Sequence, residues 1–416
     1  MTLLTNDVAA FFVSALISNA LIKLWLAIRQ LNHVEEHREQ VPAEFREKID
    51  LASHQKAADY TCAKVNFSML TIIFDSIVLF ALTRGGVIQH LCDWSAQTFT
   101  NPLLQGVSLI VAVLVISSLL EIPFNLYNTF VIEARFGFNK TTWGLYLADT
   151  VKGVLLGTAL GLPLLFGVLW LMSAMGDYWW LYVWLVWVTF NLALLFIYPT
   201  FIAPIFNKFK PIQDDALKTR IESLLQKCGF ASSGLFVMDG SKRSAHGNAY
   251  FTGFGKTKRI VFFDTLLERL TGNEIEAVLA HELGHFKHHH VIKRIVYTFI
   301  ISLGFLWLLA QLVNSTGFYN GLGVTSQSTA SALLLFFIAL PTFTFLFQPL
   351  SAAYSRKHEF EADRYAAQQT DARDLVTALV KLYQDNAKTL TPDPLYANFY
   401  ESHPPALERI TQLQKL

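Results

Sequence analysis

The sequence predicts a mostly α, polytopic membrane protein whose seven transmembrane helices carry two polar segments, one with a small β-sheet, to a single membrane face. Three observations predict it. First, 53% of the 416 residues are hydrophobic and only 16% are charged, where a soluble protein carries roughly 25% charged residues. Second, seven stretches stay apolar over the about 20 residues a helix needs to cross the hydrocarbon core. Third, Lys and Arg gather on alternate connections, the asymmetry that marks cytoplasmic loops. A chain of this length could form about two to three soluble domains. However, 34 Phe and 9 Trp with a mean hydropathy of +0.37 are more apolar surface than a globular core can hide. Disorder, collagen-like repeats and a disulfide-stapled secreted module are excluded. Cys62, Cys92 and Cys228 are far apart and odd in number, so neither a disulfide framework nor a Cys-based metal site is expected. A net charge of +1 gives no case for a nucleic-acid partner.

The seven spans cover residues 8–31, 65–83, 103–131, 151–175, 178–202, 291–314 and 330–354. The first is not read as a cleavable signal peptide, because Met1 to Ala10 lacks a basic region and contains Asp7. The connections 85–101, 174–180 and 315–329 hold no Lys or Arg, whereas 29–64 hold six, 135–152 three, 203–294 fourteen and 356–416 eight of the 33. The N-terminus is therefore expected outside and the long polar segments in the cytosol. The chain divides into residues 1–202 (spans one to five with their loops), 203–290 (a cytosolic segment), 291–354 (spans six and seven) and 355–416 (a C-terminal cytosolic segment). Residues 235–264 alternate in polarity with Gly at the bends and read as strands, while 213–229, 265–290 and most of 355–390 read as helices. Lys23, Asp75, Glu121, Asn125 and Asn191 fall inside spans. Lys23 and Glu121 are close enough to span ends to snorkel. Asp75, near mid-span, reads as facing a water-filled cavity.

Residues 281–285 read HELGH, a match to H-E-x-x-H. On a helix His281 and His285 project from one face, one turn apart, so two imidazoles can share one metal ion. Glu282 is turned about 100° from His281, beside the ion, where a carboxylate can act as general base toward a water. Neutral imidazole suits zinc, and a catalytic zinc keeps three protein ligands. The five-residue pattern also arises by chance on polar helix faces, but here Thr271 and Glu274 form a T-x-x-E capping box just upstream. No Pro or Gly interrupts residues 286–303, so the same helix is expected to run directly into span six. A metal would then sit at the membrane's cytosolic edge.

A third ligand is needed. The metzincin solution asks for Gly at 288 and His at 291, but His288 and Val291 stand there. The other source is a second helix. Spans six and seven form an antiparallel hairpin that returns residues 356–366, RKHEFEADRYA, to the HELGH side. Glu359 and Asp363 lie one turn apart on one face, Glu359 as ligand and Asp363 as the carboxylate that orients a ligand histidine. Glu361, which faces away from that pair, stays open as the competing ligand.

These motifs, together with PFNLYNTFVIEARFGFNKTT (123–142), FIAPIFNKFKPI (201–212), SKRSAHGNAYFTGFGKTKRIVFFDTLL (241–267), AHELGH (280–285), SRKHEFEADRYA (355–366) and SHPPALERI (402–410), resemble the type I CAAX prenyl proteases, integral-membrane zinc metallopeptidases. The likeness extends over nearly the whole chain. It implies a seven-helix barrel around a large water-filled chamber, with a zincin-like catalytic domain built from 203–290 and 355–416 at its cytosolic side. It also implies one Zn2+ per chain, with Glu359 as third ligand by the E-F-x-A-D pattern. Asn248 of the H-x-N-A-Y segment would hold substrate backbone, with Ala249 and Tyr250 in an edge strand that pairs with an extended peptide. His403 of the H-P-P motif would stabilise the oxyanion. Gly247 stands where many relatives have Ser, which touches only local substrate fit. Arg356 matches a family Arg without an assigned role.

The weaker signals read blandly. His288, His289 and His290 are expected to form a polar helix turn at the headgroup boundary beside Lys287, Lys293 and Arg294, and His358 a surface position. The string GFGKTK at 253–258 fits neither phosphate-loop pattern and reads as a β-turn. Ser241 near His246 lacks a G-x-S-x-G elbow. The Trp pairs around 179–187 read as an interface belt.

The expected activity is therefore zinc-dependent hydrolysis of a peptide bond near a substrate's C-terminus. Expected partners are peptide or protein substrates, prenylated C-terminal tails among them, and the lipid bilayer; nothing bears on oligomeric state. A broad quality-control protease for membrane proteins is the alternative, and a transporter or channel the non-enzyme one. The compact form suggests a bacterial inner membrane, or the endoplasmic reticulum in a eukaryote.

Overall fold

A computed structural model of the chain describes residues 5–230, 232, 234–252 and 259–416; the turn expected at 253–258 lies outside them. The helices are α1 (Thr5–Glu36), α2 (Leu51–Leu82), α3 (Val87–Thr98), α4 (Pro102–Tyr127), α5 (Trp143–Ala174), α6 (Trp179–Ile197), α7 (Ala203–Phe206), α8 (Asp215–Lys227), α9 (Asp264–Leu267) and α10 (Gly272–Lys287). After them come α11 (His290–Leu312), α12 (Thr316–Gly321), α13 (Thr329–Thr344), α14 (Gln348–Gln369), α15 (Ala372–Asp385), α16 (Pro394–Tyr400) and α17 (Ala406–Leu413). Four strands, β1 (Phe209–Pro211), β2 (Leu235–Met238), β3 (Ala249–Thr252) and β4 (Arg259–Phe263), make one sheet in the order β1-β2-β4-β3. The central pair β2/β4 is parallel and the outer pairs are antiparallel, which leaves β3 as an edge strand.

Seven helical stretches among the described residues are long and apolar enough to cross a membrane: 6–36, 51–82, 102–133, 143–174, 176–206, 290–312 and 329–369. Several outrun the apolar windows of the sequence. α2 begins at Leu51, where the Asp50 carboxylate accepts a hydrogen bond from Ser53 N at 2.7 Å, well before the apolar run that starts near residue 65. Its polar first half reaches the C-terminal part of the chain, with Gln384 of α15 donating to Ser53 Oγ at 3.1 Å.

Burial along the spans reveals a hollow. No residue is buried in 66–81 of α2, 114–131 of α4 and its continuation, 143–168 of α5, 184–201 of α6 and its continuation, or 291–305 of α11. A solid seven-helix bundle would bury an inward stripe along each helix. Instead, the buried apolar residues gather toward the two ends. One cluster holds Phe12, Leu109, Trp179, Leu309, Tyr319 and Leu335. A second, Phe45, Ile221, Ile260, Phe262, Leu279, Leu283 and Ile410, joins the sheet to α8, α10, α15 and α17, and a smaller third holds Tyr60, Ile132, Phe136 and Phe138. Asp75 of α2 interacts electrostatically with Lys23 of α1 and Glu121 of α4, which brings charges from three spans near one another.

One expectation is corrected. The HELGH helix does not run on into span six. α10 ends at Lys287, His289 takes a left-handed conformation (φ 57°), and α11 starts at His290. No Gly or Pro marks the break, and His is among the few non-Gly residues that enter this region with any frequency.

The start of α10 carries the capping box, with Thr271 N donating to Glu274 Oε2 at 2.7 Å. Glu274 is buried and also receives Lys381 of α15 at 2.7 Å. Burial alone would push this carboxyl up, but Lys381 and Thr271 outweigh it and hold it below its ordinary value. A carboxyl depressed on folding stabilises fully above its unfolded pKa of about 4.3 and loses that contribution as the pH falls through the folded value. Glu274→Gln should therefore cost about 1–2 kcal/mol near neutrality. In thermal unfolding of the solubilised protein the deficit should narrow below about pH 4.3, and a deficit that is constant with pH would contradict the assignment.

Candidate metal centre

α10 presents His281 and His285 on one face with their Nε2 atoms 3.3 Å apart. α14 crosses it closely because Gly284 meets Ala362, where a Cβ on Gly284 would lie 2.8 Å from the Ala362 Cα. That contact brings in Glu359, whose Oε2 is 3.5 Å from His281 Nε2 and whose Oε1 is 3.4 Å from His285 Nε2. Two imidazole nitrogens and a carboxylate thus converge with edges of 3.3–3.5 Å. A tetrahedral zinc with bonds of about 2.0–2.1 Å separates its ligand atoms by about 3.3–3.4 Å, so the donor set fits. Glu359 Oε2 is buried without a hydrogen-bond partner, a costly state for a carboxylate oxygen that a cation relieves. Glu361 stands apart from this group and bonds His290 instead.

Behind the donors, Asp363 Oδ1 lies 2.8 Å from His281 Nδ1. Asp363 is itself held by Arg409 of α17, Nε to Oδ2 at 2.8 Å, and both side chains are buried. Arg409 Nη1 also approaches Glu359 Oε2 at 3.8 Å. Sequence reasoning assigned nothing to Arg409. The available signal was its place on the buried stripe of α17, between Ala406 and Ile410, where a lone Arg demands a partner.

Electrostatics favour a positive charge at the centre of this set. Burial disfavours a charge on His281, yet the facing carboxylates of Asp363 and Glu359 outweigh it and raise the imidazole to about 9. Burial pushes His285 down to about 3, the neutral form that a ligand requires. Glu282 is pushed above the ordinary carboxylate value, by burial first and by the neighbouring Glu359, with His281 and Arg409 opposing.

Two cavities meet here. One of about 230 Å³ is lined by Asn248, Ala249, Leu266, Val278 and Leu379. The other, about 1300 Å³, runs past Tyr250, Phe251, Tyr297 and Tyr354. Glu282, Glu359 and His403 line both. Asn248 precedes edge strand β3, with Ala249 opposite Phe262 and Tyr250 opposite Val261 on β4. His403 Nε2 is 3.5 Å from Glu359 Oε1. Its loop is tethered by Arg356, which donates to the Glu401 carbonyl at 2.9 Å and to Asn398 Oδ1 at 3.0 Å.

Two bland readings are overturned. His290 and His358 are 2% and 3% exposed, neither a headgroup turn nor a surface position, because the break at His289 folds His290 inward. Ser241 bonds Asp264 and His246 bonds Asn386, so no Ser–His pair forms.

Comparison with known proteins agrees with the architecture. Residues 30–208 match the CAAX prenyl protease N-terminal family of five membrane helices, and residues 211–416 match peptidase family M48. The chain is 35% identical to the CAAX prenyl protease 1 homolog of Arabidopsis thaliana over 87% of both chains. It is 33% identical to CAAX prenyl protease 1 of Saccharomyces cerevisiae over 94% of this chain and 91% of that one. The crystal structure of S. mikatae Ste24p superimposes with a TM-score of 0.92 at 30% identity, covering 98% of this chain and 99% of that one.

Proposed function

The chain belongs to the CAAX prenyl protease family, membrane-embedded metalloproteases whose C-terminal half is peptidase family M48, and from that premise we propose that it binds one zinc ion through His281, His285 and Glu359 and cleaves peptide bonds near the C-terminus of its substrates, prenylated C-a-a-X tails among them. The observation that carries the reading is the convergence of those three donors beside Glu282, in a cavity shared with the start of β3, an edge strand among the described residues. Zinc, when bound, supplies Lewis-acid polarisation of the scissile carbonyl and acidifies water.

The chain's own groups do the rest. Edge strand β3, with Asn248 before it, holds the substrate extended through main-chain hydrogen bonds, which leaves recognition largely independent of side chains. Glu282 takes the proton of the attacking water and delivers it to the leaving amine. His403 donates a hydrogen bond to the oxyanion, and Arg356 keeps its loop in reach. Asp363, anchored by Arg409, fixes His281. The Lys and Arg asymmetry supports an outside N-terminus and a cytosolic site formed by 203–290 and 355–416.

Matched peptides with and without a prenyl group test the substrate. The prenylated peptide should be cleaved with at least about tenfold higher kcat/KM, since burial of each methylene contributes about 0.8 kcal/mol. Equal rates would favour the broad quality-control protease, and cleavage of neither would overturn C-terminal processing.

A further inference from the structure

The helix break at His289 puts a second histidine behind the metal centre. His290 begins α11 and turns back so that its Nδ1 lies 3.0 Å from Nδ1 of His285. Its other nitrogen, Nε2, lies 2.9 Å from Glu361 Oε2. In an unbroken helix residues five apart are about 140° apart around the axis and cannot face each other. The left-handed His289 is what makes this contact.

His290, His358 and Glu361 also have potential ligand atoms within 4.8 Å of one another, which raises the question of a second metal site. Ring geometry decides against it. The His290 and His358 rings are stacked, centroids 3.9 Å apart and planes within 8°. Imidazole lone pairs lie in the ring plane, so two parallel stacked rings offer parallel lone pairs that cannot converge on an ion at about 2.0–2.1 Å. Stacking against the buried His358 instead fixes the plane of His290.

Hydrogen accounting then assigns the arrangement. A carboxylate only accepts hydrogen bonds, so the hydrogen on His290 sits at Nε2 and points at Glu361. A neutral imidazole protonated there has its lone pair at Nδ1, so His285 must donate its Nδ1–H to it. His285 is left with its lone pair on Nε2, the atom 3.4 Å from Glu359 and 3.3 Å from His281 Nε2. We propose that His290, held by Glu361 and His358, is a positioning residue that fixes the ligand tautomer and ring orientation of His285, as Asp363 does directly for His281. Each ligand histidine then has a carboxylate behind it, one in direct contact and one through a second imidazole.

The proposal rests on the reading of His281, His285 and Glu359 as ligands, and its test separates the two. Zinc affinity of the purified full chain is measured in zinc-buffered solution, and the Co2+-loaded protein is examined by its visible absorption bands. His290→Phe keeps a flat ring against His358 and removes both nitrogens. It should weaken zinc binding about 10–100-fold, the usual cost of losing such a partner, and shift the Co2+ bands. His290→Asn, which returns an acceptor near the Nδ1 position, should recover part of both, a rescue that a merely structural role would not predict. Glu361→Gln, on a side chain 28% exposed and therefore tolerant of change, should weaken zinc binding by a smaller factor and serves if His290→Phe fails to fold. Wild-type affinity and spectrum in His290→Phe, or wild-type affinity in Glu361→Gln, overturns the proposal. His285→Ala separates the readings: if it keeps the metal, the ligand set itself is wrong, and if it loses the metal while His290→Phe does not, only the positioning role fails.

Discussion

Glu282→Gln should leave the zinc content of the purified protein at the wild-type level while peptide hydrolysis falls about 10²–10⁴-fold, the usual contribution of a positioned general base. The substitution keeps shape and hydrogen-bonding capacity and removes only the ability to carry a proton. Glu282 follows His281 directly, so it is turned to the side of the donor cluster and lines both cavities that meet there. Its carboxyl is raised above the ordinary value by burial and by Glu359, the direction that makes a carboxylate a stronger base toward water. Glu359→Gln is the contrasting variant: it alters the donor set and should lose metal and activity together. Elemental analysis alongside a peptide-cleavage assay reads both quantities. Full activity in Glu282→Gln, or loss of zinc from it, would remove the residue from its role.

Much of this arrangement was legible because helix periodicity is local. HELGH and EFEAD each announce a face, and an antiparallel hairpin of spans leaves those faces little choice but to meet. The features that were not legible depend on contacts made across the chain. Nothing near His289 in the sequence stops a helix, yet the break there is what lets His290 reach His285, Glu361 and His358. Arg409 is 46 residues from Asp363, and only the packing of α17 against α14 makes them partners. The hollow was legible only through Asp75 and the family resemblance, since among apolar residues one facing lipid and one facing a chamber both read as span. β1 gave no signal either, being three residues ending in Pro at a sheet edge, the one place where a missing N–H is tolerated.

Gly284→Ala should disable the enzyme without touching a functional group. In an exposed helix interior the change would stabilise by about 1 kcal/mol through propensity alone. Here the new Cβ meets the Ala362 Cα at 2.8 Å and its carbonyl oxygen at 3.1 Å. Both are backbone atoms that no rotamer change can move aside, so α10 and α14 must separate. Overpacking of this kind costs about 1–3 kcal/mol, so the net change in stability is small and the protein should still fold. The metal centre has no such tolerance, because its donors sit on the two helices being parted: His281 and His285 on one, Glu359 on the other with Asp363, which holds His281. Their 3.3–3.5 Å edges already match a tetrahedral ion, and widening one side costs affinity directly. A misplacement of about 1 Å commonly costs 10²-fold in rate. Zinc affinity and hydrolysis should therefore fall together, by about that factor for the rate, while the unfolding midpoint of the metal-stripped protein moves little. Gly304→Ala is the control, since a Cβ there meets nothing within 4 Å, and it should behave as wild type. If Gly284→Ala binds zinc and cleaves peptide at wild-type levels, the close crossing of α10 and α14 is not what sets the geometry of the site.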